Sequence, residues 1–154
     1  MLRDTLTAAL KESMKAKDET RTSTVRLILA ALKDRDIAAR TKGQTGGIAN
    51  DEILAMLGGM IKQRRESMVM YEKGSRPDLV KREADEIVII ESFLPKQFDE
   101  AGMNAAVQQG IAAVGAKGVK DLGPLMGWLK QHYAGQMDFS KAAGLAKQKL
   151  GAAA

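Results

Sequence analysis

The sequence predicts an all-α protein, with an N-terminal four-helix region followed by a C-terminal three-helix bundle. Apolar residues recur at spacings of three and four along almost the whole chain, which is the period of a helix buried on one face. No stretch alternates apolar and polar residues between hairpin turns, as a strand would. Hydrophobic residues make up 45% of the chain but aromatic residues only 4%, so the core must be filled mainly by aliphatic side chains.

The first two helices are predicted over residues 2–16 and 20–41. On the first, the positions expected in the core are Leu2, Leu6, Ala9, Leu10 and Met14. On the second, they are Val25, Ile28, Leu29 and Leu32. The outer face of the second helix carries three basic residues, each seven positions apart and therefore nearly in line: Arg26, Lys33 and Arg40. Residues 41–47 (TKGQTGG) show no periodicity and are predicted to form a loop.

Two further helices complete the N-terminal region. Asn50 is a suitable N-cap for a third helix that extends to about Lys73. A fourth helix is predicted over residues 77–93, because Pro77 suits a first turn, where its missing N–H costs nothing. Pro95 disfavours helical geometry at the residue before it and so ends that helix.

Past Pro95 the composition shifts towards Ala, Gly and Met, and we place a domain boundary there. The predicted domains are residues 1–94 and 95–154. Three short helices are expected in the second domain, beginning at the capping residues Asp99, Asp121 and Ser140. Gly123 and Gly127 leave a smooth strip on the middle helix, where another helix can approach closely.

Composition narrows the classes of function. The chain has no cysteine, which excludes disulfides, thiolate metal sites and Cys nucleophiles and favours a reducing cytosol. No apolar run approaches the roughly 20 residues that span a bilayer, and the N-terminus has no apolar signal core. We therefore expect a cytoplasmic protein without a membrane partner.

The side chains that enzymes use are scarce. His132 is the only histidine, and a single histidine on a helix flank is typical of a surface or cap residue. The loop at 41–47 follows a helix and lacks the GK[ST] ending of a phosphate-binding loop. The densest carboxylate group alternates with basic residues as helix-surface ion pairs do, and consists of Asp85, Glu86 and Glu91. We expect no catalytic residues, no metal site and no cofactor.

Basic residues are the more informative feature. The net charge is +5, and all nine arginines lie between Arg3 and Arg82. Two interpretations are open. Mixed charge of this density is typical of a solvated helix surface. Cations that converge on one face would instead contact the phosphates of a nucleic acid. Because aromatic residues are few, such recognition would be of folded RNA shape. The candidates for backbone contacts are Lys15, Lys17, Arg26, Lys33, Arg64, Arg65 and Lys130.

Three stretches of the chain carry a family resemblance. The first is Met14-Lys15-Ala16-Lys17-Asp18 with Thr24-Val25-Arg26-Leu27. The second includes Ile61-Lys62-Gln63-Arg64, Glu66-Ser67, Tyr71, Asp78-Leu79, Glu86-Ile87 and Leu94-Pro95. The third includes Lys120-Asp121-Leu122-Gly123, Met126-Gly127, Gly135 and Asp138. The chain therefore resembles the GatB/YqeY family, small stand-alone proteins homologous to the C-terminal tail of the B subunit of tRNA-dependent amidotransferases. It departs from the family pattern at Phe139, where a glycine is usual, and at Trp128.

The resemblance implies an all-α fold and a non-catalytic module that binds tRNA or a tRNA-like RNA, as the amidotransferase tail grips the outer corner of its substrate. It also suggests carbon–nitrogen ligase activity with glutamine as amido donor. That chemistry belongs to a kinase-like cradle and an amidase subunit, and this chain has neither. The alternative is a protein-interaction adaptor that uses the Met-rich third helix or the Gly123/Gly127 strip. A free-standing amidotransferase ranks third.

Overall fold

The fold is all-α, as predicted. A computed structural model describes residues 1–152, with side chains as far as residue 151, and contains no strand within that range. The described helices are α1 (Leu2–Lys15), α2 (Glu19–Arg40), α3 (Asn50–Lys73), α4 (Pro77–Glu91), α5 (Glu100–Val114), a 3₁₀ turn (Val119–Asp121), α6 (Leu122–His132) and α7 (Phe139–Ala152).

The chain divides into two compact units, Met1–Pro95 with α1 to α4, and Lys96 onwards with α5 to α7. Each unit has a core of its own, built almost wholly from aliphatic side chains. The core of the first unit includes Leu6, Ile28, Leu32, Ile53, Met56, Leu57, Ile61, Ile87 and Ile90. The core of the second includes Met103, Ala106, Val107, Leu125, Leu129, Met137, Ala142, Ala146 and Leu150.

The turn between α1 and α2 places a lysine in the left-handed region. Lys17 has φ +57°. Its N–H donates to the carbonyl of Met14 at 3.2 Å, and the N–H of Asp18 donates to the carbonyl of Ser13 at 3.0 Å. This pair of bonds is the Schellman motif, in which glycine is the usual left-handed residue. A side chain with a Cβ costs roughly 1–2 kcal/mol in that conformation.

The turn between α3 and α4 uses the same motif. The left-handed residue is Ser75, with φ +54°, and not its neighbour Gly74. The N–H of Ser75 donates to the carbonyl of Glu72 at 3.1 Å, and that of Arg76 to the carbonyl of Tyr71 at 2.9 Å. Both helical hairpins of the first unit therefore turn through a strained non-glycine residue.

A buried ion pair joins α3 to α4. Arg64 donates from Nε to Oε2 of Glu86 at 2.8 Å and from Nη1 to the carbonyl of Met60 at 3.2 Å. The side chains of Arg64 and Glu86 are only 13% and 11% exposed. Glu83 lies 4.0 Å from the same Nε, and Arg82 lies 3.7 Å from the other oxygen of Glu86. Each buried charge thus has a partner of opposite sign, which burial requires.

A second polar cluster fixes the loop between α2 and α3. Asp36 accepts from Arg3 Nη2 at 3.1 Å and from the N–H of Ile48 at 2.9 Å, while Arg3 also donates to the carbonyl of Ile48 at 3.0 Å. The hydrogen bond from Arg3, and then that from Ile48, hold the pKa of the Asp36 carboxyl below its usual value. Gly47 lies under this cluster with φ +85°, where an added Cβ would come within 2.7 Å of Arg3 Nη2.

The close helix contact of the second unit does not lie where the sequence suggested. Open space surrounds Gly123 and Gly127, so no helix in the described part of the chain approaches this strip. The tight position is Gly110 on α5, where a Cβ would lie 2.6 Å from Cδ1 of Leu125 and 3.1 Å from the ring of Trp128. Gly110 therefore sets the distance between α5 and α6.

Two of the predicted caps in the second unit begin helical turns, but in different ways. The Asp99 carboxylate accepts from the N–H of Gly102 at 2.7 Å and caps α5, as predicted. Asp121 precedes α6 without a capping hydrogen bond to it. Its carboxylate instead accepts from the N–H groups of Lys117 and Gly118 at 2.8 and 3.3 Å, and so it orders the preceding turn.

Two other cap assignments are shifted along the chain. The N-cap of α3 is Ala49, and Asn50 is the first helical residue. α7 begins at Phe139, and the Asp138 carboxylate accepts from the N–H of Ser140 at 2.8 Å. Asp138 is therefore the capping side chain in place of Ser140.

Replacing Arg64 by Met is expected to lower the free energy of unfolding by about 3 kcal/mol, because it leaves the buried Glu86 carboxylate without its main partner. Arg65→Met is the matched control. Arg65 pairs with Glu91 at 3.2 Å, but its side chain is 56% exposed, so its loss should cost less than about 1 kcal/mol. Urea unfolding followed by circular dichroism measures both; equal losses would contradict the structural role of Arg64.

Gly47→Ala is expected to destabilise the first unit more than Gly43→Ala does. Both glycines have positive φ, +85° and +88°, but only Gly47 has neighbours within reach of a Cβ. The two variants share the backbone strain, and Gly47→Ala also displaces Arg3 from Asp36, at an added cost of about 1–3 kcal/mol. Thermal unfolding compares them, and hydrogen exchange at the Ile48 amide shows whether the cluster opens. Identical midpoints with an unchanged Ile48 amide would refute this account.

Candidate nucleic-acid interface

A line of exposed cations runs along α2. Arg26, Lys33 and Arg40 are all exposed, as expected from their spacing. Positions seven apart drift by only about 20° around a helix, so the three side chains remain nearly in line over about 21 Å. We call Arg26, Lys33 and Arg40 the basic line.

The basic line follows the edge of α2 that meets α1. Thr22 donates to the hydroxyl of Ser13 on α1 at 3.0 Å, and Asp36 pairs with α1 through the cluster described above. Arg26 follows Thr22 by four residues, and Arg40 follows Asp36 by four, so each lies one turn further along the same edge. Arg26 and Lys33 therefore border the seam between α1 and α2, and Arg40 lies one turn beyond its Asp36 end.

Beyond the Thr22 end of this seam, an open groove forms at the α1–α2 turn. It is lined by Met14, Lys17, Glu19, Thr22, Ser23 and Arg26. The groove brings Lys17 and Arg26 together, and both were candidates from the sequence. Lys15 is exposed in the last turn of α1 but is not one of the residues that line the groove.

Met14 lies in this groove and not in the core, which corrects the sequence prediction. Its side chain is 52% exposed, whereas Ser13 is buried. The buried face of α1 runs through Leu6, Ala9 and Ser13 at the same spacing of three and four. Ser13 can occupy a core position because its hydroxyl donates to the carbonyl of Leu10 at 2.9 Å and accepts from Thr22 at 3.0 Å. A pattern of apolar residues alone could not reveal this exchange.

The two candidates on α3 make contacts with α4. Arg64 is enclosed by carboxylates, and its low exposure leaves little of the guanidinium to a phosphate. This geometry argues against the predicted phosphate contact at Arg64. Arg65 is more exposed but pairs with Glu91. Within the described residues, Lys17, Arg26 and Lys33 form no ion pair with a carboxylate.

Lys130, the remaining candidate, lies exposed on α6 in the second unit. In the same last turn, the ring of His132 stacks on Trp128 with 4.1 Å between centroids, and His132 Nδ1 lies 2.9 Å from the Trp128 carbonyl. Among residues 1–152, no group of three or more His, Asp or Glu side chains is arranged to hold a metal ion. No helix in that range is both long and apolar enough to cross a membrane.

Sequence reasoning missed Met14 and Ser23 as surface groups of the candidate site. The run Thr20–Thr24, rich in hydroxyls at the start of α2, was a signal for Ser23. For Met14 the signal of an exposed side chain was its position at the end of α1, two residues before Ala16.

Comparison with known proteins identifies relatives of this chain. The family model of the Yqey-like protein matches residues 3–150. Altered inheritance of mitochondria protein 41, mitochondrial, of Kluyveromyces lactis is 34% identical over 84 residues, which is 54% of this chain and 43% of that protein. The proteins of the same name from Lachancea thermotolerans and Eremothecium gossypii are 36% and 34% identical over 85 residues, 55% of this chain and 43% and 44% of theirs. The chain spans less than half the length of these relatives.

Lys17→Gly and Ser75→Gly are each expected to raise the free energy of unfolding by about 1 kcal/mol, because glycine removes the left-handed strain at both turns. Lys15→Gly is the control. Lys15 is the last residue of α1, so glycine there brings only the usual helix penalty, up to about 1 kcal/mol. Chemical denaturation gives all three values, and a loss of stability in Lys17→Gly would show that its backbone is not strained.

Proposed function

Because the chain belongs to the YqeY-like family, which it matches over residues 3–150, we propose that it is a non-catalytic RNA-binding module for tRNA or a tRNA-like RNA. One observation carries the proposal: Arg26 and Lys33 of the basic line border the α1–α2 seam, and Lys17 lies beside Arg26 at its end. These cations are exposed, and the helices that hold them are fixed to one another by polar contacts.

The arrangement suits a nucleic-acid backbone. Successive cations of the basic line lie about 10 Å apart along α2, so an RNA that lies along the seam can contact them in turn. Such contacts position the RNA but do not read its sequence. With the three residues of the line and Lys17 neutralising about four phosphates, affinity should fall about 100-fold between about 50 mM and about 200 mM salt.

The link to tRNA in particular is supported by the resemblance of the chain to the tail of tRNA-dependent amidotransferases. The ligase activity of those enzymes needs glutamine hydrolysis and activation by ATP. We assign neither step to this chain, since its sequence offers no nucleophile–base pair for them. A cytoplasmic location stays a prediction, and the names of the relatives place those proteins in mitochondria.

A protein-interaction adaptor is the second candidate. The observation that favours it is the pair Val69 and Met70, which are 50% and 67% exposed near the end of the Met-rich α3. Exposed methionine is common at adaptable binding surfaces. If this surface carried the function, Met70→Ala would abolish partner binding, and substitutions in the basic line would leave it intact.

Arg26→Gln is expected to weaken binding of total tRNA by about 5- to 10-fold at about 50 mM salt and to reduce the salt slope by about one phosphate contact. The matched control is Arg35→Gln. Arg35 is an exposed arginine on the same helix, nine residues away and so on the opposite side of α2. Filter binding at two salt concentrations tests both.

Equal effects of the two substitutions would show that only net charge matters and would remove the basic line as the interface. Absence of any binding by the unaltered protein at low salt would overturn the RNA-binding function itself. The helix content of both variants is checked by circular dichroism, and because both side chains are exposed no loss is expected.

A further inference from the structure

The groove at the α1–α2 turn differs chemically from the rest of the seam. Along α2 the basic line presents cations, which suit phosphates. The groove adds a thioether, two hydroxyls and a carboxylate to its two cations, from Met14, Thr22, Ser23, Glu19, Lys17 and Arg26. A surface that contacted only phosphates would not need a thioether, hydroxyls or a carboxylate.

We propose that this groove binds one unpaired nucleotide of the RNA, with its phosphate at Lys17 and Arg26 and its base against Met14. The inference rests on the proposed RNA-binding function and adds a ligand class to it. An unpaired nucleotide presents an anionic group, a flat apolar face and polar edges together, and these are the three kinds of partner that the groove offers.

Met14 supplies the apolar contact. Its side chain is half exposed while the core position beside it is filled by Ser13, so Met14 is not needed to complete the core. Methionine is flexible and polarisable and adapts to flat ring systems. Apolar side chains of this kind are used by nucleic-acid-binding proteins to contact bases outside the regular stack.

The hydrogen bonds that the polar side chains of the groove already make show which of them can still accept one from a ligand. The hydroxyl of Thr22 donates to Ser13, and that of Ser23 donates to the carbonyl of Thr20 at 3.1 Å. The Ser23 oxygen thus keeps its capacity to accept a hydrogen bond. Together with the Glu19 carboxylate it provides acceptors suited to the amino group of a base or to a ribose hydroxyl.

The geometry of a concave groove distinguishes an unpaired nucleotide from a paired one. Inside an RNA duplex the faces of the bases are covered by their neighbours, and only backbone and groove edges are exposed. A duplex can therefore contact the basic line, but its internal bases cannot reach Met14. The groove should make the protein prefer RNA that has unpaired nucleotides.

The test compares two fluorescently labelled RNAs, a hairpin whose loop leaves several nucleotides unpaired and a blunt duplex with the same stem. Met14→Ala is expected to weaken binding of the hairpin about 5-fold, which is about 1 kcal/mol, and to leave binding of the duplex unchanged. Met70→Ala removes a methionine that is still more exposed and should change neither affinity. Arg26→Gln should weaken both. Fluorescence anisotropy at low salt measures all the dissociation constants.

Three outcomes count against the proposal. Equal affinities of unaltered protein and Met14→Ala for the hairpin would overturn the nucleotide site while leaving the basic line in place. An equal loss for hairpin and duplex would do the same, because it would show a contact that does not depend on an unpaired base. If the unaltered protein binds neither RNA, the proposed function and this inference fail together.

Discussion

The buried ion pair between Arg64 and Glu86 is the constraint on which the first unit depends. Its core consists of Leu, Ile, Val, Met and Ala, and aliphatic residues of similar volume can exchange places at modest cost. Such a core favours burial of the apolar helix faces, but it specifies the register of one helix against another only weakly. A guanidinium that must meet a carboxylate from the facing helix permits one register only, because any slip would leave two buried charges unpaired. Met60, Glu83 and Arg82 complete the network, which holds α3 and α4 in this register.

The α3–α4 hairpin is connected to the candidate interface through α2, which packs on α4 as well as on α1. The Arg3–Asp36 cluster holds α1, α2 and the following loop together at one end of the seam. The contact between Ser13 and Thr22 holds the other end. The cations between these two contacts are therefore carried on a helix whose position is fixed before any ligand arrives. Preorganisation of this kind reduces the entropy that binding has to overcome.

The sequence was sufficient for the fold class and for the approximate bounds of the helices, because periodicity and Pro and Gly breaks are local properties. It failed where a residue depends on a partner distant in sequence. Ser13 was missed as a core residue: its hydroxyl donates to the Leu10 carbonyl within α1, and its second partner, Thr22, lies on α2. Gly110, and not Gly123 or Gly127, is the tight contact because Leu125 and Trp128 face it. Arg64 was a candidate for an RNA contact, and its placement against Glu86 shows that α4 encloses it instead. The position of the exposed cations of α2 does not depend on such a partner, so their seven-residue spacing was enough to predict that they share one face of the helix.

A comparison of the two strained turns shows what the hairpin geometry explains and what it does not. Lys17 and Ser75 have the same left-handed conformation and the same pair of backbone hydrogen bonds, so the hairpin geometry explains the conformation in both cases. It does not explain the choice of residue, since glycine would suit both positions better. At Ser75 the residue lies in an exposed turn beside the ion pair of Arg76 and Asp78. At Lys17 it lines a groove with Arg26 and the exposed Met14. The backbone strain alone is therefore no sign of function in this protein; the surroundings of Lys17 are what connect its turn to a ligand.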